Sequence, residues 1–149
     1  MEMTTRIIVL AAFLMLQSFV YANDIETFSL TVKVKGLRSS KGMVQFALYN
    51  KDGSIPDKQY KKYYKKQIAK IQDTTAYTTF NGLPKGTYAV SVLHDENMNG
   101  KIDKGFILPT EGIGFTNYTT ISLGNRPNFK KASFSIISDE EKLIKITYF

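Results

Sequence analysis

The sequence has no cysteine and no tryptophan, and its one histidine is His94. Without cysteine there is no disulfide, no thiolate metal site, no cysteine nucleophile and no lipid-modified cysteine. A single imidazole excludes metal centres and catalytic arrangements that need several. Long apolar runs are also scarce. Ile7–Leu16 is one unbroken run of ten apolar residues, and no stretch beyond it approaches membrane-spanning length.

That run sits behind Met1-Glu2-Met3-Thr4-Thr5-Arg6 and ahead of Val20-Tyr21-Ala22. Ten apolar residues make about 15 Å of helix, roughly half of a bilayer core. A polar start, a short apolar stretch and small residues at Val20 and Ala22 read as a cleaved secretory signal over residues 1–22. The competing reading is an uncleaved anchor, favoured by the bulky Phe19 and Tyr21. The sequence therefore divides into a leader, 1–22, and one domain, 23–149, expected to be exported to a periplasmic or extracellular location. A small exported domain without disulfides must be held by its core, and about 127 residues suffice for one.

The domain alternates with period two. Phe28, Leu30, Val32 and Val34 oppose Ser29, Thr31, Lys33 and Lys35; the same pattern recurs at Val44-Phe46-Leu48, Ala76-Thr78-Phe80, Tyr88-Val90-Val92, Ala132-Phe134-Ile136 and Ile144-Ile146-Tyr148. Turn residues punctuate the runs at Gly36, Asn50-Lys51-Asp52-Gly53 and Asn81-Gly82. Alternation of this kind marks half-buried strands. With a further strand expected near Lys66–Ile71, the reading is all-β: a single β-sandwich of about seven strands.

One segment departs from the pattern. Between Pro56 and Ile71, tyrosines fall at helical spacing opposite lysines, so a short helix is expected over 57–65. The formal net charge is +7, and the segment Lys58–Lys70 carries six lysines and no acid. The rest of the mature domain is near neutral, with 13 basic and 12 acidic residues. The charge is thus a local patch. Lys58, Lys61, Lys62, Lys65 and Lys66 are candidate binding residues for an anionic envelope polymer or another envelope protein. The alternative is a solvated face whose tyrosines pack inward. Export argues against nucleic acid as the partner.

The most specific local signal is His94-Asp95-Glu96-Asn97-Met98-Asn99-Gly100-Lys101-Ile102-Asp103. Asp95, Asn97 and Asn99 stand at positions 1, 3 and 5 of a calcium-type loop, Gly100 at the sharp turn, Lys101 at the position that offers a main-chain carbonyl, and Asp103 at position 9. Alternate oxygens let a tight bend aim several ligands at one centre. Phe106 stands where a full loop has a bidentate glutamate, and a strand leads in. Weak calcium binding is one reading, with Glu96 and Glu111 as outside help. A bare turn held by Asp and Asn side chains is the other. His94 is read as a hydrogen-bonded residue at the loop root. No nucleophile elbow is present and nothing singles out a catalytic carboxylate pair, so an enzyme is not expected. The glycine-punctuated stretch Lys104–Asn128 either folds over the loop, bringing Glu111 and Asn117 within reach, or crosses between sheets with Phe106, Ile113 and Phe115 plugging the core.

Phe80-Asn81-Gly82-Leu83-Pro84-Lys85-Gly86-Thr87-Tyr88-Ala89-Val90, the acidic loop, and Pro109-Thr110-Glu111-Gly112-Ile113-Gly114-Phe115-Thr116-Asn117 together resemble an exported bacterial family, domain of unknown function 2141. The Leu83-Pro84-x-Gly86-x-Tyr88 step is similar to transthyretin-like (prealbumin) and collagen-adhesin B-type sandwiches, some of which carry calcium loops. The resemblance implies a prealbumin-like sandwich outside the cytoplasm and no established activity. Met98 stands where a glycine or small residue is expected, and Phe106-Ile107-Leu108 replaces an Asn and a Gly-Ile-Pro step.

Overall fold

The alternating apolar runs do become strands, and the order in which they pair explains the rest of the chain. The structure is a computed structural model that describes residues 25–106 and 108–149; the expected leader over 1–22 lies outside the described residues. Among the described residues eight strands form: β1 (Thr27–Lys35), β2 (Met43–Tyr49), β3 (Lys65–Ala69), β4 (Ala76–Pro84), β5 (Gly86–Asp95), β6 (Gly112–Phe115), β7 (Phe134–Ile136) and β8 (Glu140–Lys145). One short helix, α1 (Phe129–Ala132), precedes β7. Among the described residues, no helix is long and apolar enough to cross a membrane.

The strands form two sheets packed as a sandwich. One has the order β4-β1-β8, with β4 antiparallel and β8 parallel to β1. The other has the order β3-β2-β5-β6, and β7 also pairs with β5. Between them lies a core of Leu30, Val32, Val34, Val44, Phe46, Leu48, Phe80, Val90, Val92 and Ile144. Each such side chain contributes about 1.5–3 kcal/mol of burial. The inward sides of the runs are therefore as the alternation indicates.

The outward side of β2 and β5 is not wet. Ala47, Tyr49, Ala89, Leu93, Ile113 and Phe115 form a second core with Ile55, Tyr60, Tyr118, Phe129 and Ala132. These last residues belong to the long connections before β3 and around α1, which fold back over the sheet. Sheet burial on both faces accounts for the polar residues Gln45, Ser91, His94 and Asp95 becoming buried.

The helix expected over 57–65 does not form. Tyr60 has a positive φ of 49° and its side chain is buried, sharing a hydrogen bond of 3.0 Å with the Ser91 hydroxyl. Asp57 holds a turn instead: its carboxylate accepts the Lys62 N–H at 2.7 Å and the Tyr49 hydroxyl at 3.2 Å. A side chain that satisfies local backbone donors competes with the helix for them. The expected strand near 66–71 forms as β3. Ala132 lies in α1 rather than in a strand, where Asn128 caps by accepting the Lys131 N–H at 3.0 Å.

Gly112–Phe115 is a strand within a stretch read as a loop. It pairs with β5 from Ser91–Phe115 to His94–Gly112, and on its other side Thr147 of the C-terminal segment exchanges main-chain hydrogen bonds with Ile113 at 2.8 and 3.0 Å. Two glycines permit that approach. A Cβ on Gly112 would lie 2.4 Å from the Tyr148 ring, and one on Gly114 2.6 Å from Ile144 Cγ2. Gly112→Ala and Gly114→Ala are each expected to destabilise by about 1–3 kcal/mol in denaturant unfolding. Gly124→Ala, where the added methyl meets open space, is expected to be near neutral. Equal effects at all three positions would refute this account of the closure.

Candidate functional site

Strand β5 delivers His94 and Asp95, both fully buried, to one end of the sandwich. Both nitrogens of His94 are engaged, Nε2 with the Lys41 carbonyl at 2.8 Å and Nδ1 with the Tyr148 hydroxyl at 2.6 Å. The Lys41 carbonyl can only accept, which places the proton on Nε2 and makes Tyr148 the donor to Nδ1. His94 is thus the hydrogen-bonded loop-root residue that its position indicates. Gly42 presses against the same point: its φ is +76° and a Cβ there would lie 2.1 Å from the Asp95 carbonyl.

Asp95 organises the loop. Its carboxylate accepts the Asn99 N–H at 3.1 Å, the Gly100 N–H at 2.8 Å and the side-chain amide of Gln45. A buried carboxylate without such donors would cost several kcal/mol. Asn97 Oδ1 accepts the Asn99 N–H at 3.0 Å, and Asn99 Oδ1 accepts the Lys101 N–H at 3.0 Å. The amide nitrogens of Asn97 and Asn99 both donate to Asp103, the latter at 2.8 and 2.9 Å. Those bonds hold the Asp103 carboxyl below its ordinary pKa. Met98 takes a positive φ of 60° with its side chain exposed, which is where a glycine would be unstrained.

Glu111 closes the loop from the start of β6. It accepts the Glu96 N–H at 3.0 Å and the Asp103 N–H at 3.3 Å, and burial raises its pKa. The stretch after Lys104 therefore does fold over the loop through Glu111. Asn117 goes elsewhere, donating to the Ser133 carbonyl at 2.8 Å. Ile113 and Phe115 are buried, whereas Phe106 is fully exposed and plugs nothing.

All five loop residues expected as ligands, Asp95, Asn97, Asn99, Lys101 and Asp103, thus lie on one bend, and hydrogen bonds from side chains tie them to one another. No group of three His, Cys, Asp or Glu side chains placed to hold a metal occurs among the described residues. A cation here would draw on amide and main-chain oxygens as well as carboxylates, which is the donor chemistry of hard ions.

The five candidate lysines do not share one helix face. Lys58, Lys61 and Lys62 are exposed on an irregular connection, while Lys65 and Lys66 begin β3 and are half-buried. Lys65 donates to the Asn81 carbonyl at 2.8 Å and Lys66 to Gln45 Oε1 at 3.4 Å. Tyr63 and Tyr64 stay partly exposed beneath Lys66 and Lys65 at 5.6 and 5.8 Å.

Two participants escaped the sequence reading. Gln45 bridges the acidic loop and Lys66 from a position that alternation assigns to solvent. Arg38 reaches across to Glu96, with Nε 3.1 Å from Oε1, and also donates to the Thr110 carbonyl at 3.2 Å. A lone arginine in a turn, far along the chain from Glu96, carries no local signal of that pairing.

The fold and this bend define a β-sandwich domain with an Asp/Asn-rich loop at one end. Over residues 32–145 the sequence matches the family described as "Uncharacterized protein conserved in bacteria (DUF2141)", and the chain belongs to that family. Among solved structures it is similar to a pilus-presented adhesin, Spy0125 (Cpa), with 18% identity and a TM-score of 0.28 over 85% of this chain. A cysteine-to-alanine mutant of that adhesin matches at 16% identity with a TM-score of 0.28. The match spans 28% of the adhesin's length. No curated protein sequence matches the chain.

The Arg38 hydrogen bonds hold the Glu96 carboxyl below its ordinary pKa. Their contribution is complete above the unfolded value and is lost as pH falls through the lowered folded one. Glu96→Gln is expected to reduce stability by about 0.5–1 kcal/mol at pH 7, given the partial exposure of the pair. The deficit should hold above about pH 5 and shrink below about pH 4. A deficit that persists unchanged into acid would refute the ion-pair account.

Proposed function

We propose that the protein is an exported, non-catalytic binding or structural module whose Asp95–Asp103 loop takes a calcium ion. The observation that carries this is the convergence of Asn97 and Asn99 on Asp103, with Asp95 bound to the Asn99 N–H and Glu111 arriving from the connection before β6. Asp95 and Asp103 would supply charge, Asn97 and Asn99 side-chain oxygens, and Lys101 its carbonyl, with Glu111 outside them. Carboxylate oxygens retain lone pairs after accepting N–H bonds, and the two asparagine amides would present oxygen by rotating, giving up the main-chain N–H bonds that those oxygens now accept. The ion would neutralise the Asp95 and Asp103 carboxylates and stiffen that end of the fold. The leader-like residues 1–22 support export. The engagement of both His94 nitrogens supports a non-catalytic role.

An ion that binds only the folded state stabilises it by about 2.7 kcal/mol at ~100 times its dissociation constant. Thermal unfolding in several millimolar calcium is expected to occur about 5–10 °C higher than in chelator. Asp103→Asn is expected to remove most of that shift and, because the Asn97 and Asn99 amides now donate to this carboxylate, to lower the chelator melt by a smaller amount. Identical melts with and without calcium would overturn the proposal.

A second reading rests on the basic face. None of Lys58, Lys61, Lys62, Lys65, Lys66 or Lys70 is in an ion pair among the described residues. An uncompensated cluster of this kind suits an anionic envelope polymer or an acidic face of another envelope protein. Replacement of Lys61, Lys62, Lys65 and Lys66 by Gln is expected to bring elution from an immobilised anionic polysaccharide to clearly lower salt. Unchanged elution would exclude this reading.

A further inference from the structure

A cavity of about 290 Å³ opens on the outer face of the five-stranded sheet, beside the acidic loop, whose Ile102 helps to line it. Its walls are mostly apolar, with Ile113 and Phe115 of β6 beneath and Ile121 beside them. Lys58, Lys104 and Arg126 also line it, and they come from three separate connections. None of the three is in an ion pair among the described residues. Asp57 lines the cavity too; its carboxylate accepts the Tyr49 hydroxyl and the Lys62 N–H, which do not cancel its charge, and leaves the cavity with three cations to one anion.

We propose that this cavity binds a small amphiphilic carboxylate, its apolar tail against Ile113, Phe115 and Ile121 and its head group among Lys58, Lys104 and Arg126. Two features call for such an occupant. An apolar hollow beside the second core leaves its lining without packing partners on one side. Three cations from separate connections line one cavity with no ion pair among the described residues, and an anion there would offset their mutual repulsion. A neutral lipid would answer only the first feature, and a free inorganic anion only the second. The volume lies at the small end of ligand pockets, so the tail is short. A pocket of apolar walls with a few convergent polar groups is the usual form of a small-molecule site.

Titration with octanoate, octanol and octylammonium, followed by NMR shifts and calorimetry, tests the assignment. Saturable octanoate binding is expected, with a dissociation constant of about 0.1–1 mM. Octanol should bind at least tenfold more weakly and octylammonium not at all. The double variant Lys104→Gln/Arg126→Gln should weaken octanoate at least tenfold, and Ile121→Trp should abolish binding by filling the hollow. Each variant is to be compared with its own unfolding midpoint, so that loss of folding is separated from loss of the site. Replacement of Lys61, Lys62, Lys65 and Lys66 by Gln should leave octanoate affinity unchanged. Absence of saturable octanoate binding, equal affinity for octanol, or insensitivity to both cavity variants would overturn the proposal. So would association with anionic vesicles without octanoate binding, which would mark the face as a membrane contact instead.

Discussion

Strand β5 is held on every side, and the rest of the molecule follows from that confinement. It pairs with β2 along one run of residues and with β6 and β7 along its two halves. Both of its faces are covered, one by the opposing sheet and the other by the connections that fold back over it. A polar group carried into such a position must find partners inside the protein, because an unsatisfied buried donor or acceptor costs more than a typical hydrogen bond returns. At the end of β5 that requirement falls on His94 and Asp95. The turn after β1, together with Tyr148, answers for the first, and Gln45 with the loop's own amides answers for the second. The shape of the loop is thus a consequence of burying its first carboxylate.

Much of this was legible from spacing. The alternation around Val32 and Phe46, and the repeated Tyr88-Val90-Val92 pattern, located the inward faces correctly, because period two is a property of the extended backbone itself. The loop's Asp, Asn, Asn, Gly and Asp positions were equally readable, since they act within one short bend. What stayed hidden depended on distant residues. The tyrosine and lysine spacing around Tyr60 fits a helix, yet Asp57 and Ser91 claim the backbone and the ring. Gly112–Phe115 has only four residues and two glycines, so its strand character comes from pairing with β5 and the bridge to Thr147 rather than from propensity. Gln45 sits where a one-sided sheet would face water, and only the folded-back connections reveal that it does not.

The basic and acidic features, separate in the sequence, meet in one side chain. The Gln45 amide donates to Asp95 and accepts from Lys66, so its two ends have fixed roles. A glutamate at that place would set a second carboxylate beside a buried one, and a leucine would leave Asp95 short of a donor. The outer face of the same sheet carries the cationic cavity further along, over Ile113 and Phe115. The two candidate sites therefore share a scaffold while drawing on different side chains.

The parallel neighbours β1 and β8 have a further bearing. They stand at opposite ends of the described chain, yet Leu30 to Lys35 pair with Glu140 to Lys145. A chain that lengthens or crosses a pore from its N-terminus has no partner for that side of β1 until the final strand arrives. The three-stranded sheet is then among the last parts to assemble, and such distant pairings favour slow folding. Until then the apolar side of β1 has only part of its cover and is exposed to unwanted self-association.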